Sequence, residues 1–384
     1  MRILERFRAD IERRQLRDLD PVLFLVTLAL VICGLVVIYS ATRSLPGVPH
    51  PHYYVQRQAQ WAVLGLLAGI AVLGYDYRAL QKWTYVLYIG TVAVLAAVMV
   101  LGFSAAGAER WLALGPVRLQ PSEFAKVSII LTLAAYLDRK QDLSRLSSLI
   151  GPLLHVAPPM VLIALQPDIG TALVFAAITL GMLYFAGAQP KHLFLLILAG
   201  VGAIVLAGYL TLQGYVPLLK DYQVRRLAVF LDPYADPTGD GWNVIQSMIA
   251  IGSGGFFGKG LFGGSQTQLN FVPARHTDFI FSVIGEEFGF LGATFILFLF
   301  ALLIWRLLRV TVLAKDRYGM LIAGGITSMF FFHILVNVGM TLGVMPITGI
   351  TLPFLSQGGS SLMANLICIG IASNIVMRRR KIHF

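Results

Sequence analysis

Residues 21–41 read PVLFLVTLALVICGLVVIYSA, a run that contains no charged side chain. A helix that crosses the hydrocarbon core of a bilayer needs about 20 mainly apolar residues, so this run predicts a membrane-spanning helix. The polar, arginine-rich residues before it include no small-residue cleavage site, which argues against a cleaved signal peptide. Similar stretches recur and predict an all-α polytopic membrane protein with ten transmembrane helices, at 21–41, 58–75, 82–103, 121–138, 148–166, 169–187, 193–213, 279–304, 319–341 and 361–377.

The composition of the whole chain agrees with this prediction. Of its 384 residues, 57% are hydrophobic and 13% are charged, and this charged share is about half that of soluble domains. A soluble enzyme, a disordered protein and a fibrous protein are therefore excluded. The formal net charge is +11, but the basic residues do not gather on one polar domain, so nucleic acid is not an expected partner. Cys33 and Cys368 lie in apolar runs without metal or disulfide spacing.

The positions of lysine and arginine in the loops predict how the helices are oriented. With the N-terminus in the cytoplasm, about two thirds of the 30 basic residues lie on the cytoplasmic side, as the positive-inside rule requires. An even number of spans also returns the basic C-terminal tail to the cytoplasm. We interpret residues 1–384 as one integral membrane domain with a cytoplasmic arm (1–20), a large extracytoplasmic loop between helices 7 and 8 (214–278), a re-entrant-like extracytoplasmic segment (343–361) and a cytoplasmic tail (378–384).

The two long outer segments are the expected location of a functional site. The loop is too long and too mixed for a plain connector. Its sequence indicates a polar helix near 221–226, turns near 232–241, a helix near 241–251 and a glycine-rich loop over 252–264. Segment 343–361 is apolar but broken by Pro346 and Pro353. Irregular backbone at membrane depth survives only where it is buried in protein or lines a wet cavity, so we predict a cleft on the outer face.

Two polar clusters lie at the outer starts of predicted spans. The first contains Glu123 and Lys126, which are three residues apart and so share one helix face. A lysine one turn inside a membrane helix normally faces a cavity or a partner. Glu123 could instead be a carboxylate that the helix dipole favours. The second cluster contains Asp168, for which a helix cap is an equally good interpretation.

The third cluster is the most distinctive, because four polar residues stand in series before a predicted span: Arg275, His276, Thr277 and Asp278. Thr277 or Asp278 can cap the helix, but a cap needs only one polar residue. A carboxylate beside arginine and histidine can be held ionised or tuned as a general base. Glu286 and Glu287 lie deeper in the same span, where exposure of a carboxylate to lipid costs much free energy. We therefore expect them to be paired inside the bundle.

The remaining polar residues within spans carry weaker signals. We interpret His155, His333 and Asn337 as packing or hydrogen-bonding groups rather than as ligands. Gly258-Lys259 is followed by glycine and not by serine or threonine, so a phosphate-binding loop and an ATPase are excluded. The sequence contains no metal-ligand motif.

Several motifs, in order along nearly the whole chain, resemble the SEDS family (shape, elongation, division and sporulation). They are QPSEFAK (120–126) after Trp111, QPDIGT (166–171), GWNVIQS (241–247), the run from Lys259 through PARHTDFIF (273–281), and MPITGITLPFLSQGGSS (345–361). The family often has other residues at Ile350, Thr351 and Gln357, which affects local contacts and not membership. Arg275 and residues 265–269 resemble the elongation branch of the family more than its division branch.

The resemblance implies a peptidoglycan glycosyltransferase that polymerises lipid II at the outer face of the bacterial cytoplasmic membrane, for cell elongation and rod shape. The essential aspartate of the family corresponds to Asp278. Further candidates for substrate binding or support, some matched by motif and others chosen for their charge or position, are Glu123, Lys126, Asp168, Arg225, Arg226, Arg275, His276 and Ser360. The implied partners are lipid-linked glycan, the elongation machinery and a class B penicillin-binding protein transpeptidase with one membrane anchor.

The chemistry of such a reaction assigns roles to these residues. The 4-hydroxyl of one lipid-linked sugar attacks the anomeric carbon of another, and diphosphate leaves. The α-linked donor becomes a β-1,4 link, so the reaction inverts configuration and needs one base and no covalent intermediate. We expect Asp278 to be that base. The diphosphate needs positive charge, for which Lys126 and the arginines are candidates. No cofactor is certain, although a divalent cation (Mg²⁺ or Mn²⁺) could share this task.

Three other functions remain open at this point. A division-type septal polymerase would use the same chemistry. A lipid II flippase would fit ten spans and intramembrane charges, but its site would normally lie near the midplane rather than at one face. A scaffold that only recruits a cell-wall synthase would leave the polar series 275–278 unexplained.

Overall fold

The computed structural model describes residues 18–47, 49–105, 108–114, 117–140, 142–215 and 219–379. Most of the predicted arm 1–20 and of the tail 378–384 therefore lies outside the described residues. The described helices are α1 (Pro21–Thr42), α2 (Tyr53–Leu73), α3 (Thr84–Leu101), α4 (Pro121–Arg139), α5 (Ile150–Leu165), α6 (Ile169–Phe185), α7 (Pro190–Leu212), α8 (Asp221–Leu231), α9 (Asp240–Ser253), α10 (Ser265–Gln268), α11 (Ile280–Leu313), α12 (Arg317–Thr341) and α13 (Gly359–Met377). Short 3₁₀ helices cover Tyr77–Trp83, Leu146–Leu149 and Pro233–Ala235.

Each of the ten predicted spans overlaps one of these helices. Within the described residues, seven helical stretches are long and apolar enough to cross a membrane: Pro21–Thr42, Tyr77–Val100, Leu146–Leu165, Pro190–Leu212, Ile280–Leu313, Arg317–Thr341 and Gly359–Met377. Ile169–Phe185 is a shorter apolar helix. The protein is therefore mostly helical, with the helices of a multi-pass membrane protein.

Helices α12 and α13 lie at the centre of the bundle, with most of their residues buried. Along α2, glycines allow α13 to approach closely, as small residues commonly do between membrane helices. A Cβ at Gly69 would lie 2.9 Å from the carbonyl oxygen of Leu366, and one at Gly370 would lie 2.6 Å from the carbonyl oxygen of Gly69. By contrast, α7 is peripheral, and its buried residues are Leu193 and Gly208.

The all-α prediction is wrong for the connection between α3 and α4. Three strands, β1 (Phe103–Ala105), β2 (Ala108–Leu114) and β3 (Val117–Leu119), form an antiparallel sheet in the order β1-β2-β3. The register pairs Ser104 with Glu109 and Ala113 with Arg118. Strands β1 and β3 are too short for an alternating pattern, and the seven residues of β2, AERWLAL, do not alternate strictly between polar and apolar side chains.

The large loop has the organisation that its sequence predicts, with α8 and α9 at the two expected helices. Its glycine-rich part meets a break in α11 at Gly289, where φ is 63°. Freed carbonyl oxygens of Glu286 and Glu287 accept from the N–H groups of Lys259 and Gly260 at 3.0 and 2.9 Å. On the other side of the break, the N–H of Phe290 donates to Gly255 at 2.9 Å, and that of Leu291 to Phe256 at 3.2 Å. Two irregular segments thus satisfy each other's backbone groups, as membrane depth requires.

Segment 343–361 is irregular until α13 begins at Gly359, and it lies inside the protein. Ile350, Leu352, Phe354 and Leu355 are buried. Its main chain is in direct contact with α1, because a Cβ at Gly34 would collide with the carbonyl oxygen of Phe354. The irregular backbone is therefore shielded by surrounding helices.

Candidate active site

The starts of α4, α6, α11 and α13 meet around segment 343–361. The N–H of Gln120 donates to Ser360 Oγ at 3.0 Å, and its side-chain amide lies 3.5 Å from Asp168 Oδ2. Asp278 Oδ2 lies 3.6 Å from the position that a Cβ on Gly349 would occupy. Residues that are far apart in the sequence, at the beginnings of four helices, are thus brought to one end of the bundle.

The loop that carries Asp278 is held by its main chain. Three consecutive carbonyl oxygens, those of residues 276–278, each accept a hydrogen bond from another part of the chain. The N–H of Gln357 donates to the first at 2.8 Å, the Ser356 hydroxyl to the second at 2.7 Å, and the Asn337 amide to the third at 2.8 Å. The Asp278 side chain itself is half-buried. The arrangement gives a partly accessible carboxylate on a fixed backbone.

The possibility that Thr277 or Asp278 serves as a helix cap is contradicted. Helix α11 begins at Ile280 with Phe279 at the N-cap, and no side chain caps it. The reason is that residues 274–279 form hydrogen-bonded turns, in which the N–H groups of Thr277 and Phe279 donate to the carbonyl oxygen of Ala274 at 3.0 and 3.2 Å. The polar series before α11 therefore needs an explanation other than capping.

Glu123 and Lys126 form a buried ion pair on α4, with a separation of 2.9 Å and side-chain exposures of 7% and 2%. Lys126 Nζ also lies 3.2 Å from His333 Nε2. Because an ammonium can only donate, Nε2 accepts, and Nδ1–H donates to the carbonyl oxygen of Thr351 at 3.0 Å. The pair thus connects α4 through α12 to segment 343–361, and Lys126 faces protein partners.

Asp168 caps α6, which was the equally favoured interpretation of its sequence. Its Oδ1 accepts from the N–H of Thr171 at 3.2 Å, and its Oδ2 from the Thr171 hydroxyl at 2.9 Å. The carboxylate is 6% exposed. These contacts hold the start of α6 next to Gln120 and the site.

Arg275 and His276 are oriented toward protein neighbours. The Arg275 guanidinium donates to the carbonyl oxygen of Ala41 at 2.7 Å and to the Ser44 hydroxyl at 3.3 Å. The His276 ring packs against the Tyr54 ring, with centroids 5.2 Å apart and the ring planes tilted by 42°. Burial, together with the nearby positive charge of Arg275, lowers the pKa of His276 to about 4. At neutral pH the imidazole is therefore uncharged, so the expected help of a histidine charge in keeping Asp278 ionised is absent.

The remaining predicted site residues are Ser360 at the start of α13 and two arginines on α8. Ser360 is 2% exposed and accepts the N–H of Gln120. Arg225 and Arg226 lie on α8, where Arg225 is exposed and the guanidinium of Arg226 lies 5.8 Å from the centre of the Tyr222 ring.

Glu286 and Glu287 are held inside the bundle, as expected. Glu286 forms an ion pair with Lys259 at 2.8 Å and accepts the N–H groups of Gln266 and Thr267. Glu287 accepts the Ser40 hydroxyl at 2.6 Å and the Gln268 amide at 3.1 Å. Both carboxylates thus anchor the large loop to α11.

Sequence reasoning did not identify the residues that hold the site together. Gln58, buried on α2, donates to the carbonyl oxygen of Ser356 at 3.1 Å and accepts the N–H of Gly358 at 3.1 Å. The structure confirms Asn337 and His333 as hydrogen-bonding groups, and the signal in the sequence is a polar side chain within an apolar helix. Gln58 has no such signal, because it lies near the start of α2 beside Arg57 and other glutamines. Among the described residues, no group of three or more histidine, cysteine, aspartate or glutamate residues converges on a metal position.

Comparison with known proteins identifies the family. The sequence profile of the FtsW/RodA/SpoVE family, described as cell cycle proteins, matches residues 20–381. The probable peptidoglycan glycosyltransferase FtsW of Trichlorobacter lovleyi is 39% identical, over 94% of this chain and 94% of that protein. The peptidoglycan glycosyltransferase MrdB of Escherichia coli is 37% identical, over 94% of each, and RodA of Treponema pallidum is 35% identical, over 95% and 99%.

Solved structures agree with this assignment. A chain from a structure described as the structural coordination of polymerization and crosslinking by a peptidoglycan synthase complex superposes with a TM-score of 0.78, at 35% identity over 93% of this chain and 97% of that chain. RodA of Thermus thermophilus superposes with a TM-score of 0.68, at 31% identity over 94% and 98%. The chain therefore belongs to the FtsW/RodA/SpoVE family, the SEDS family that its motifs resemble, and it is a peptidoglycan glycosyltransferase.

Proposed function

We propose that the protein polymerises lipid II into β-1,4 glycan strands, with inversion, and that Asp278 is the general base. The observation that carries the proposal is the geometry of Asp278, a half-buried carboxylate on a loop whose carbonyl oxygens at 276–278 are all hydrogen-bonded. A general base must be accessible to the hydroxyl that it deprotonates and must stay in place while it does so. Both requirements are met here.

In the reaction, the acceptor 4-hydroxyl donates its proton to the Asp278 carboxylate as its oxygen forms a bond to the anomeric carbon of the donor. The bond between that carbon and the diphosphate oxygen breaks on the opposite face, and the diphosphate leaves with the electron pair. A single displacement of this kind explains inversion without a covalent intermediate. The sugar chain then remains attached to one lipid diphosphate.

The leaving diphosphate requires positive charge, and the arginines differ in their ability to supply it. Arg225 is exposed on α8, and Arg226 is half-buried beside it. Arg275 and Lys126 are already engaged with protein groups, so we assign them to support of the site. Glu123, Asp168 and Ser360 have the same supporting role.

We also propose ten spans with both termini in the cytoplasm of a bacterium and the site on the outer face of its inner membrane. Asp20, the N-cap of helix α1, pairs with Arg306, and Ala41 at the other end of the helix contacts Arg275 of the site loop. Arg78 pairs with Asp316 at 2.9 Å at the start of α12, whose other end carries Asn337. Basic groups at the end opposite to Asp278 support this orientation.

We further propose a role in elongation, with a class B penicillin-binding protein as partner. Arg275 and residues 265–269 support the elongation branch. The similar chain from a peptidoglycan synthase complex, described by its coordination of polymerization and crosslinking, supports a transpeptidase partner.

The decisive experiment compares two activities, polymerisation of lipid II and its movement across a bilayer. The purified full-length chain, with and without the transpeptidase, is given lipid II in detergent, and glycan polymer is measured. The same protein is then reconstituted in liposomes, and transbilayer movement of lipid II is measured. We expect polymer in detergent. Movement across the bilayer without polymer would instead establish a flippase, and neither product would favour a scaffold.

A further inference from the structure

We infer that Asn337 is the positioning residue that holds Asp278 in its catalytic geometry; this rests on the proposed role of Asp278 as the base. Asn337 lies on α12 with no exposed surface. Its Nδ2 donates to the main-chain carbonyl of Asp278 at 2.8 Å and to that of Ile350 at 2.7 Å. An amide nitrogen has two hydrogens, and here each is used on a different segment of the site.

The two carbonyl groups that Asn337 joins belong to the two parts of the main chain that determine the position of the Asp278 carboxylate. One is the peptide unit of the base itself. The other follows Gly349, the residue against which the Asp278 carboxylate lies, since a Cβ there would be 3.6 Å from Oδ2. One side chain therefore fixes both the backbone of the base and the wall beside its carboxylate.

The neighbouring contacts of the loop differ in kind from that of Asn337. The carbonyl oxygens of residues 276 and 277 are bound by Gln357 and Ser356, which both belong to segment 343–361. These contacts tie one irregular segment to another. Asn337 is different, because it sits on a long, buried helix and connects both segments to it.

The same features exclude direct contact with substrate. Asn337 is fully buried, and both of its amide hydrogens are engaged. It therefore acts on the reaction through Asp278. A misplacement of a reacting group by about 1 Å can reduce a rate by about 100-fold, so loss of this contact is expected to lower turnover while leaving the binding surfaces in place.

The chain offers a matched control in Asn374 on α13. This asparagine is also fully buried, and its Nδ2 also donates to two main-chain carbonyls, those of Val72 and Tyr75, at 2.6 and 2.5 Å. These partners lie at the end of α2 far from the site, since α2 contacts Ser356 near its beginning through Gln58. Replacement of either asparagine by leucine removes two hydrogen bonds from the amide nitrogen to main-chain carbonyls, and Asn374→Leu also removes the bond that Arg378 donates to Asn374 Oδ1 at 2.8 Å.

The experiment measures kcat and KM for lipid II polymerisation, together with the melting temperature, for full-length Asn337→Leu, Asn374→Leu and the unmodified protein. We expect kcat of Asn337→Leu to fall between about 10-fold and about 100-fold, with KM within about twofold of the unmodified value. Asn374→Leu should lower the melting temperature by at least as much and keep kcat. Unchanged kcat in Asn337→Leu, or an equal loss in Asn374→Leu, would overturn the inference.

Two further variants keep the outcome interpretable. If Asn337→Leu does not fold, Asn337→Ser replaces it, because one hydroxyl hydrogen cannot serve both carbonyls, and a normal kcat would again refute the inference. The double variant Asp278→Asn/Asn337→Leu should be no slower than Asp278→Asn alone, since positioning has no value without the base. Full activity of Asp278→Asn would remove the proposed base and this inference with it. An inactive Asp278→Asn beside a fully active Asn337→Leu would remove the inference alone.

Discussion

Asp278 combines a half-buried side chain with a main chain that is held at three consecutive carbonyl groups. The charged residues Lys126 and Arg275 are more deeply buried and are bound by protein groups. Lys126 pairs with Glu123, and Arg275 is bound by main-chain and hydroxyl oxygens. At the scale of single residues, the site separates one accessible carboxylate from a shell of buried polar groups that position it.

The pKa of His276 gives a prediction for stability. Because the folded value of about 4 is below the ordinary value, the unfolded chain binds more protons between these values, and stability falls as pH falls from about 6.5 to about 4. At pH 5, this difference in proton binding lowers the free energy of unfolding by about 2 kcal/mol. Thermal unfolding in detergent at pH 7.5 and pH 5 should therefore show a larger loss in the unmodified protein than in His276→Gln. Equal losses in the two proteins would contradict the prediction.

The Glu123–Lys126 pair gives a second prediction. Lys126→Met leaves a buried, uncompensated carboxylate and should cost about 3–5 kcal/mol of unfolding free energy. The double variant Glu123→Gln/Lys126→Met removes both charges and should recover most of that loss. The measurement is the unfolding free energy of the three proteins in detergent. A double variant as unstable as the single one would show that the pair is not held by mutual compensation.

At the scale of elements, irregular segments carry the site and regular helices support it. The sequence predicts the long helices well, because an apolar run of sufficient length has few alternatives in a membrane. It predicts the break in α11 poorly, because a glycine in an apolar run is compatible with an uninterrupted helix. The strands between α3 and α4 are not predicted for a related reason, since β1 and β3 have three residues each and the sequence of β2, AERWLAL, does not alternate strictly between polar and apolar residues.

The break at Gly289 should be sensitive to a single methyl group. In Gly289→Ala, the backbone conformation of φ 63° and ψ −160° is one that is essentially restricted to glycine and costs another residue about 1–3 kcal/mol, and the added Cβ would collide with the N–H of Gly258. The melting temperature in detergent should therefore fall. Gly200→Ala on α7 is the matched control, because nothing lies within 4 Å of its added Cβ, and it should not be destabilised. Similar melting temperatures for both variants would contradict the close packing of the glycine-rich loop against the break in α11.

At the scale of the whole molecule, the two ends of the bundle differ. One end gathers Asp278, Asp168 and Ser360, and the other carries ion pairs such as Arg78–Asp316. The polar series 275–278 could be identified from the sequence because its members are adjacent. The contacts of Asn337 and Gln58 could not, because their partners lie far along the chain and meet only after the helices pack.

The proposed orientation predicts which loops a membrane-impermeant thiol reagent reaches. Thr238 is exposed in the large loop. Thr238→Cys should therefore be labelled in spheroplasts, whose cytoplasmic membrane is intact and accessible to the reagent from outside. Ser147→Cys, exposed between α4 and α5, should be labelled only after the membrane is permeabilised. The unmodified chain, whose cysteines lie in α1 and α13, provides the background. Labelling of Ser147→Cys in intact spheroplasts would reverse the proposed topology.

The most direct test of the account is the rate of lipid II polymerisation by purified Asp278→Asn protein. Asparagine keeps the size of the side chain and removes its basicity. Asp142→Asn, in an exposed loop at the opposite end, is the control for loss of one carboxylate. We predict that Asp278→Asn is slower by at least about 100-fold while Asp142→Asn keeps the unmodified rate. Polymerisation by Asp278→Asn at the unmodified rate would contradict the assignment of Asp278 as the general base.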